Sequence, residues 1–207
     1  MDVKLSAPNA GVVISGRSVC LRPISEQEVN GQYISWLNDP KINEFLEVRH
    51  NRQTIGNVVE YINGVRSKAG CEVFAIFLKA GKTHVGNIAI IQFNPFNQGY
   101  AIFGLTIGEP KAQMVGAGGE ATLLIVDYIF RSRSIRRIQG GVYSDNQKSR
   151  KMLESLGFKE EGVFRKHVVL NSGKLNDLIT YGLLREEWEG QRVRFSPLLK
   201  YMSVSEV

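Results

Sequence analysis

The chain has 207 residues, 43% of them hydrophobic and 22% charged, enough to bury a full core as one globular domain without disulfide staples. A net charge of +6 and a sequence pI near 9.4 suit an anionic ligand. Residues 1–6 carry no basic-then-apolar signal, no apolar run approaches the roughly 20 residues of a membrane span, and Cys20 and Cys71 match no metal-ligand spacing, so a cytoplasmic protein with free thiols, no metal and no membrane partner is expected.

In chain order, residues 1–16 are small, polar and Gly-containing and read as a flexible leader. Residues 19–24 (Val-Cys-Leu-Arg-Pro-Ile) read as a first strand whose ladder Pro23 stops. Ser25 followed by Glu28 has the form of a capping box opening a helix through Tyr33, Trp36 and Leu37, which Asn38-Asp39-Pro40 breaks. A second helix from about Thr54 places Ile55, Val58, Val59 and Ile62 at helical spacing and ends near Gly70. Strands follow at 72–78, 85–93 and 100–107. The short Gly81-Lys82-Thr83 link makes the first two an antiparallel hairpin, and the 94–99 cluster forms the next turn.

A long helix then carries Ala117, Ala121, Leu124 and Tyr128 on one face, followed by a strand at 137–143, a helix at 146–156 and a strand pair around Gly173. From Glu186 onward the chain reads as an extension, so a single domain over 17–190 is expected, with a C-terminal extension at 191–207. An antiparallel meander flanked by helices, then strand–helix–strand–helix–strands, is a mixed α/β sheet, α+β in some schemes. The basic run from Arg131 to Arg137 admits a helix C-terminus leading into a strand, a phosphate contact or a nucleic-acid contact; no aromatic interleaving or zinc-finger spacing supports nucleic acid as a partner.

Gln113-Met114-Val115-Gly116-Ala117-Gly118-Gly119-Glu120-Ala121 stands between strand-like and helix-like segments. Glycines admit a close approach, and a helix N-terminus offers unpaired N–H groups and the positive end of a dipole, a cradle for pyrophosphate. Gly116-x-Gly118-x-x-Ala121 formally matches a dinucleotide fingerprint. That motif needs a turn straight from strand to helix and a ribose-binding acid about 20 residues on, and both are missing. No Gly-Lys-Ser/Thr follows, so a P-loop fails as well.

Gln113-x-x-Gly116-x-Gly118, with Asn146-x-x-Ser149 and Leu156-Gly157-Phe158, resembles the coenzyme A loop and following segment of the GNAT N-acyltransferase superfamily. Leu21-Arg22-Pro23, Trp36-Leu37-Asn38-Asp39-Pro40, Glu161-Gly162-Val163-Phe164-Arg165 and the stretch from Asp177 to Trp188 are similar to its Rim-type branch, which includes ribosomal-protein N-terminal acetyltransferases. The resemblance covers residues 17–190 and implies a mostly antiparallel, seven-stranded sheet, splayed between its fourth and fifth strands around acetyl-CoA. It places Thr106 and Ile107 against the pantetheine, Gln113 in the loop, and the amides of Val115, Gly116, Ala117, Gly118, Gly119 and Glu120 on the pyrophosphate. Asn146 and Ser149 would contact the coenzyme from the facing helix, with Lys148 or Arg150 near its phosphates.

Direct acetyl transfer to an amine needs a neutral amine, a polarised thioester carbonyl and a proton for the leaving thiolate. The family's usual glutamate and tyrosine positions here hold Ile102 and Leu153. Candidate replacements are Glu47, Glu72 and Tyr143, with Glu47 first because its segment lies where the resemblance places the acceptor pocket. Arg49 and His50 there would bind the acceptor, Arg49 by clamping a phosphate or carboxylate. The resulting expectation is an N-acetyltransferase without metal, acting on a small amine such as a nucleotide-linked amino sugar. A protein N-terminal acetyltransferase and a catalytically silent acyl-CoA-binding module stay open, as does a homodimer.

Overall fold

The computed structural model describes residues 4–8, 11–93 and 99–206; the turn cluster expected at 94–98 lies outside them, as do parts of the leader. β3 (Glu72–Leu78) sends Phe74 and Ile76 into one core and Val73, Ala75 and Phe77 into another, so both faces of the strand are covered and its sequence is nearly all apolar. α5 (Ala117–Ser132) fills the first core with Ala121, Leu124 and Ile125. α1 (Gly31–Asn38) and α3 (Ile55–Arg66) cover the other with Tyr33, Trp36, Val58 and Ile62. α3 begins at the Thr54 cap, whose hydroxyl accepts from Asn57 N.

Among the described residues nine strands form the sheet, not seven. Besides β3 they are β1 (Val12–Ser15), β2 (Val19–Pro23), β4 (Thr83–Phe93), β5 (Tyr100–Ile107), β6 (Arg137–Tyr143), β7 (Lys159–Val169), β8 (Leu175–Leu184) and β9 (Ser203–Glu206). Their order is β7-β8-β6-β5-β4-β3-β2-β1-β9. The two added strands come from the segments read as leader and extension. Ile14 faces Leu21 across the first hairpin, and Val12 pairs with Glu206 at the far end of the chain. Ile14 is fully buried, which ties the start of the chain to the core. The extension also packs through α7 (Arg185–Gln191) and α8 (Ser196–Leu199): Trp188 stacks on Phe195 at 5.3 Å, and Leu199 is buried.

The helix expected from Ser25 starts later. Glu28 accepts from Ser25 N at 2.9 Å and from Ser25 Oγ at 2.6 Å, so the local bonds of the box form, but Arg22 also holds Glu28 at 3.0 Å. Asn30 caps α1 instead, accepting from Gln32 N and Tyr33 N. α2 (Pro40–Asn43) follows with Asp39 as its cap. The basic run is used within the fold, with Arg137 on Glu161 at 2.5 Å and Arg133 on the Gly70 carbonyl.

β5 and β6 are the parallel pair of the sheet; the other recorded ladders are antiparallel. They pair from Tyr100↔Arg137 to Ile102↔Gln139 and then separate, while β5 stays paired with β4 to Ile107↔Gly86 and β6 with β8 to Tyr143↔Leu178. The result is a wedge whose facing backbone edges lack a strand partner. With β1 added to the count, these are the fourth and fifth strands of the expected sheet.

Candidate active site

At the mouth of the wedge, α4 (Pro110–Met114) leads into α5 through Gly116, whose φ of 77° suits glycine and whose missing Cβ faces open space. Among the described residues no side chain caps α5. Its first recorded backbone bond runs from Glu120 N to Gly116 O at 3.1 Å, so the amides of Ala117, Gly118 and Gly119 lack a carbonyl partner among the described residues. These three donors lie at the positive end of a 16-residue helix, an arrangement that suits an anion.

Three of the six amides that the resemblance put on a pyrophosphate are already paired. The amides of Val115 and Gly116 turn to the Gln113 carbonyl, and that of Glu120 is committed within the helix. The Glu120 carboxylate points away, accepting from Ser18 N at 2.9 Å and from the Ser18 hydroxyl, and so fixes the β1–β2 turn. Gln113 bridges the wedge mouth: its Nε2 donates to Ile107 O at 3.0 Å and its Oε1 accepts from Lys148 Nζ at 3.5 Å. A Cβ on Gly118 would lie 3.3 Å from Leu105 and Ile107, which puts the cradle directly against the open end of β5. Thr106 and Ile107 are half-buried there. Across the wedge, Asn146 caps α6 (Gln147–Ser155) by accepting from Ser149 N at 3.2 Å, which leaves the Ser149 hydroxyl without a partner among the described residues. Three amides, an uncapped dipole and an unpaired strand edge fit a pyrophosphate followed by an amide-bearing chain.

The four residues proposed for chemistry and acceptor binding lie together. Residues Glu47–His50 form a 3-10 turn that meets Tyr143 at the end of β6, beyond the point where β5 and β6 separate. The Tyr143 hydroxyl donates to Glu47 Oε1 and accepts from Arg49 Nη1 at 2.7 Å. His50 Nε2 lies 3.6 Å from Glu47 Oε2. Tyr143 is 5% exposed, and burial, with the Glu47 carboxylate beside it, pushes its pKa up to about 12. Phe45 packs edge-on against the ring at 6.0 Å, fixing its plane. Glu47 is mostly exposed, so the cluster presents a carboxylate to solvent and a neutral phenol behind it.

Arg49 does not stand open as a clamp. Its side chain is 2% exposed, and it donates to Leu46 O at 2.7 Å, to Tyr143 and to the Val169 carbonyl, joining the turn to β6 and β7. Sequence reasoning missed this role because a backbone acceptor 120 positions away leaves no residue-type signal. Glu72, the third candidate, is fully buried and held by Arg66 at 2.7 Å, away from this cluster. Leu153 is 2% exposed within the core, and Ile102 is half-buried where β5 and β6 last pair. Among the described residues no group of three or more His, Cys, Asp or Glu could hold a metal ion, and no helix is long and apolar enough to cross a membrane.

Comparison with known proteins bears on this geometry. A family model of the acetyltransferase (GNAT) domain matches residues 18–159, well over half of the chain. The chain is 27% identical over 171 residues to the uncharacterized N-acetyltransferase p20 of Bacillus licheniformis, covering 81% of this chain and 92% of that one. The fold resembles spermidine N-acetyltransferase from Vibrio cholerae in complex with CoA and spermine (TM-score 0.73, 21% identity, 83% of this chain and 98% of that one). It also resembles RimL, a ribosomal alpha-N-protein acetyltransferase in complex with coenzyme A (TM-score 0.72, 19% identity, 83% and 97%). These two likenesses speak for the fold alone. With the family match and the N-acetyltransferase relative, the chain belongs to the GNAT acetyltransferase family and is an acyltransferase of the N-acetyltransferase kind.

Proposed function

We propose that this protein moves an acetyl group from acetyl-CoA to the primary amine of a small acceptor, directly and within a ternary complex. The observation that carries the reading is the Tyr143 hydroxyl bonded to both Glu47 and Arg49 at the open end of the β5–β6 wedge. Bound there, the coenzyme supplies an activated acetyl thioester. The amides of Ala117, Gly118 and Gly119 hold its pyrophosphate, and the free edge of β5 around Thr106 and Ile107 orients the chain that follows. Ser149 adds a hydroxyl from α6.

Glu47 accepts the proton that the amine loses as it attacks. Tyr143, kept neutral by its surroundings, gives its proton to the departing thiolate and regains one from Glu47. One proton leaves nitrogen and one reaches sulfur, so the relay balances. Arg49 positions the phenol and steadies negative charge on its oxygen. Holding both substrates in a near-attack geometry can remove up to roughly 7–11 kcal/mol of the barrier before any proton moves.

The test is thiol release from acetyl-CoA over amino sugars, polyamines and peptides, alongside calorimetry of coenzyme binding. Turnover on a small amine that collapses in Glu47→Gln supports the reading. Turnover on extended peptides alone points to protein N-terminal acetylation, and tight binding without turnover on any amine points to a silent acyl-CoA-binding module.

A further inference from the structure

Beside the Glu47–Tyr143 pair lies a cavity of about 400 Å³ that no step so far uses. Its wall is made mainly by the carboxamides of Asn38, Asn43, Asn51 and Asn171 and the guanidiniums of Arg49 and Arg52, with no carboxylate among its lining residues. Part of this wall is rigid. Asn38 is fixed to Gln53 by bonds of 2.8 and 2.9 Å, and buried Asn43 donates to Leu37 O at 2.8 Å and accepts from Asn171 Nδ2 at 3.2 Å. Two other donors have no partner among the described residues. Arg52 is exposed and enters no ion pair among the described residues, and Arg49 Nε is buried without a hydrogen-bond partner. The nearest carboxylate to Arg49 is Glu47 at 3.8 Å, so the positive charge of the wall is only partly offset.

We infer that this cavity holds an oxyanion, a phosphate or carboxylate, carried by the acceptor whose amine reaches Glu47. The exposed Arg52 guanidinium, the Asn51 carboxamide and the unpartnered Nε of Arg49 supply charge-assisted and neutral donors to such a group, while the carboxamide bonds of Asn38, Asn43 and Asn171 hold the wall in shape. A polyamine tail placed there would face two like charges and find no carboxylate. Arg49 joins the two halves of the site, since the guanidinium that walls the cavity also bonds the Tyr143 hydroxyl. The inference rests on the reading that Glu47 and Tyr143 meet the acceptor amine, and it adds the acceptor's class: an anionic amine.

The experiment is calorimetric titration of the wild-type protein and of Arg52→Gln and Asn171→Ala with four probes, namely glucosamine 6-phosphate, glucosaminuronic acid, glucosamine and spermidine. Thiol release from acetyl-CoA is measured on the same samples. The first two probes separate phosphate from carboxylate. At least one should bind about tenfold tighter than glucosamine, and Arg52→Gln should remove that advantage without changing glucosamine binding. Equal binding of charged and neutral sugars, tightest binding of spermidine, or an undiminished preference in Arg52→Gln overturns the subsite. If the binding pattern holds but no probe releases thiol, the transfer reading falls and the subsite stands. If glucosamine and spermidine are acetylated as readily as the anions, the subsite falls and the transfer reading stands.

Discussion

The Tyr143 hydroxyl donates to Glu47 Oε1, joining the end of β6 to a 3-10 turn 96 positions earlier in the chain. Neither partner works alone in this arrangement. The phenol oxygen is held by Arg49, and the carboxylate that faces solvent is the one the phenol bonds. Glu47→Gln and Tyr143→Phe should therefore each lower kcat by about 10²–10⁴ while the KM for acetyl-CoA stays near its original value. The double variant should be little worse than the poorer single one, because both remove one relay. Steady-state kinetics on the three variants checks this, and independent, additive losses would separate the two residues.

The raised pKa of Tyr143 gives a prediction in the alkaline range. A free phenol loses its proton near pH 10, whereas Tyr143 is pushed up to about 12 by burial and the neighbouring carboxylate. Between these values the folded chain keeps a proton that the unfolded chain releases. The stability linked to this proton is fully present below pH 10 and is lost as pH rises through about 12. Denaturant midpoints at pH 9 and pH 11 should fall less in Tyr143→Phe than in the wild type. A matching fall in both proteins would mean that other groups govern the alkaline limb.

Local pattern and long-range contact divide what the sequence could disclose. The Thr54 cap with Ile55, Val58, Val59 and Ile62 marked α3 because each signal acts within a few residues. β5 and β6 kept their expected bounds for the same reason. β1 and β9 escaped because a four-residue strand has little periodicity and each pairs with the other across the length of the chain. Ser25 and Glu28 made their bonds yet started no helix, since Asn30 offered a better cap and Arg22 drew on Glu28. Within the site, the resemblance proposed the segment of Glu47, Arg49 and His50, and the end of β6 proposed Tyr143, but only tertiary contact reveals that Arg49 faces inward.

Asp127 illustrates an acid whose purpose only the fold explains. It sits fully buried in an otherwise apolar stretch of α5, accepting from Trp188 Nε1 at 3.2 Å and from Arg192 Nε at 2.5 Å. Asp127→Ala removes the acceptor for both donors and loosens the C-terminal segment from α5. Arg192 is partly exposed and can recover water, so the loss should be about 2–3 kcal/mol rather than that of a fully enclosed pair. Chemical denaturation measures it, and a change below about 0.5 kcal/mol would show that packing alone holds the extension.

Gly118 tests the cradle more sharply than any other glycine of the run. A Cβ there points at Leu105 and Ile107 on the open end of β5, 3.3 Å from each, while at Gly119 it would lie 3.9 Å from Met152. An indole at 118 would fill the floor of the wedge, on the path proposed for the coenzyme chain; a methyl at 119 keeps both the amide and the space. Calorimetry with acetyl-CoA should show Gly118→Trp weakened by about a hundredfold or more and Gly119→Ala within about twofold of wild type. Far-ultraviolet circular dichroism should stay native in both, because the wedge edges lack strand partners and the sheet pairing elsewhere is untouched. Full affinity in a folded Gly118→Trp protein would place the pyrophosphate somewhere other than the start of α5.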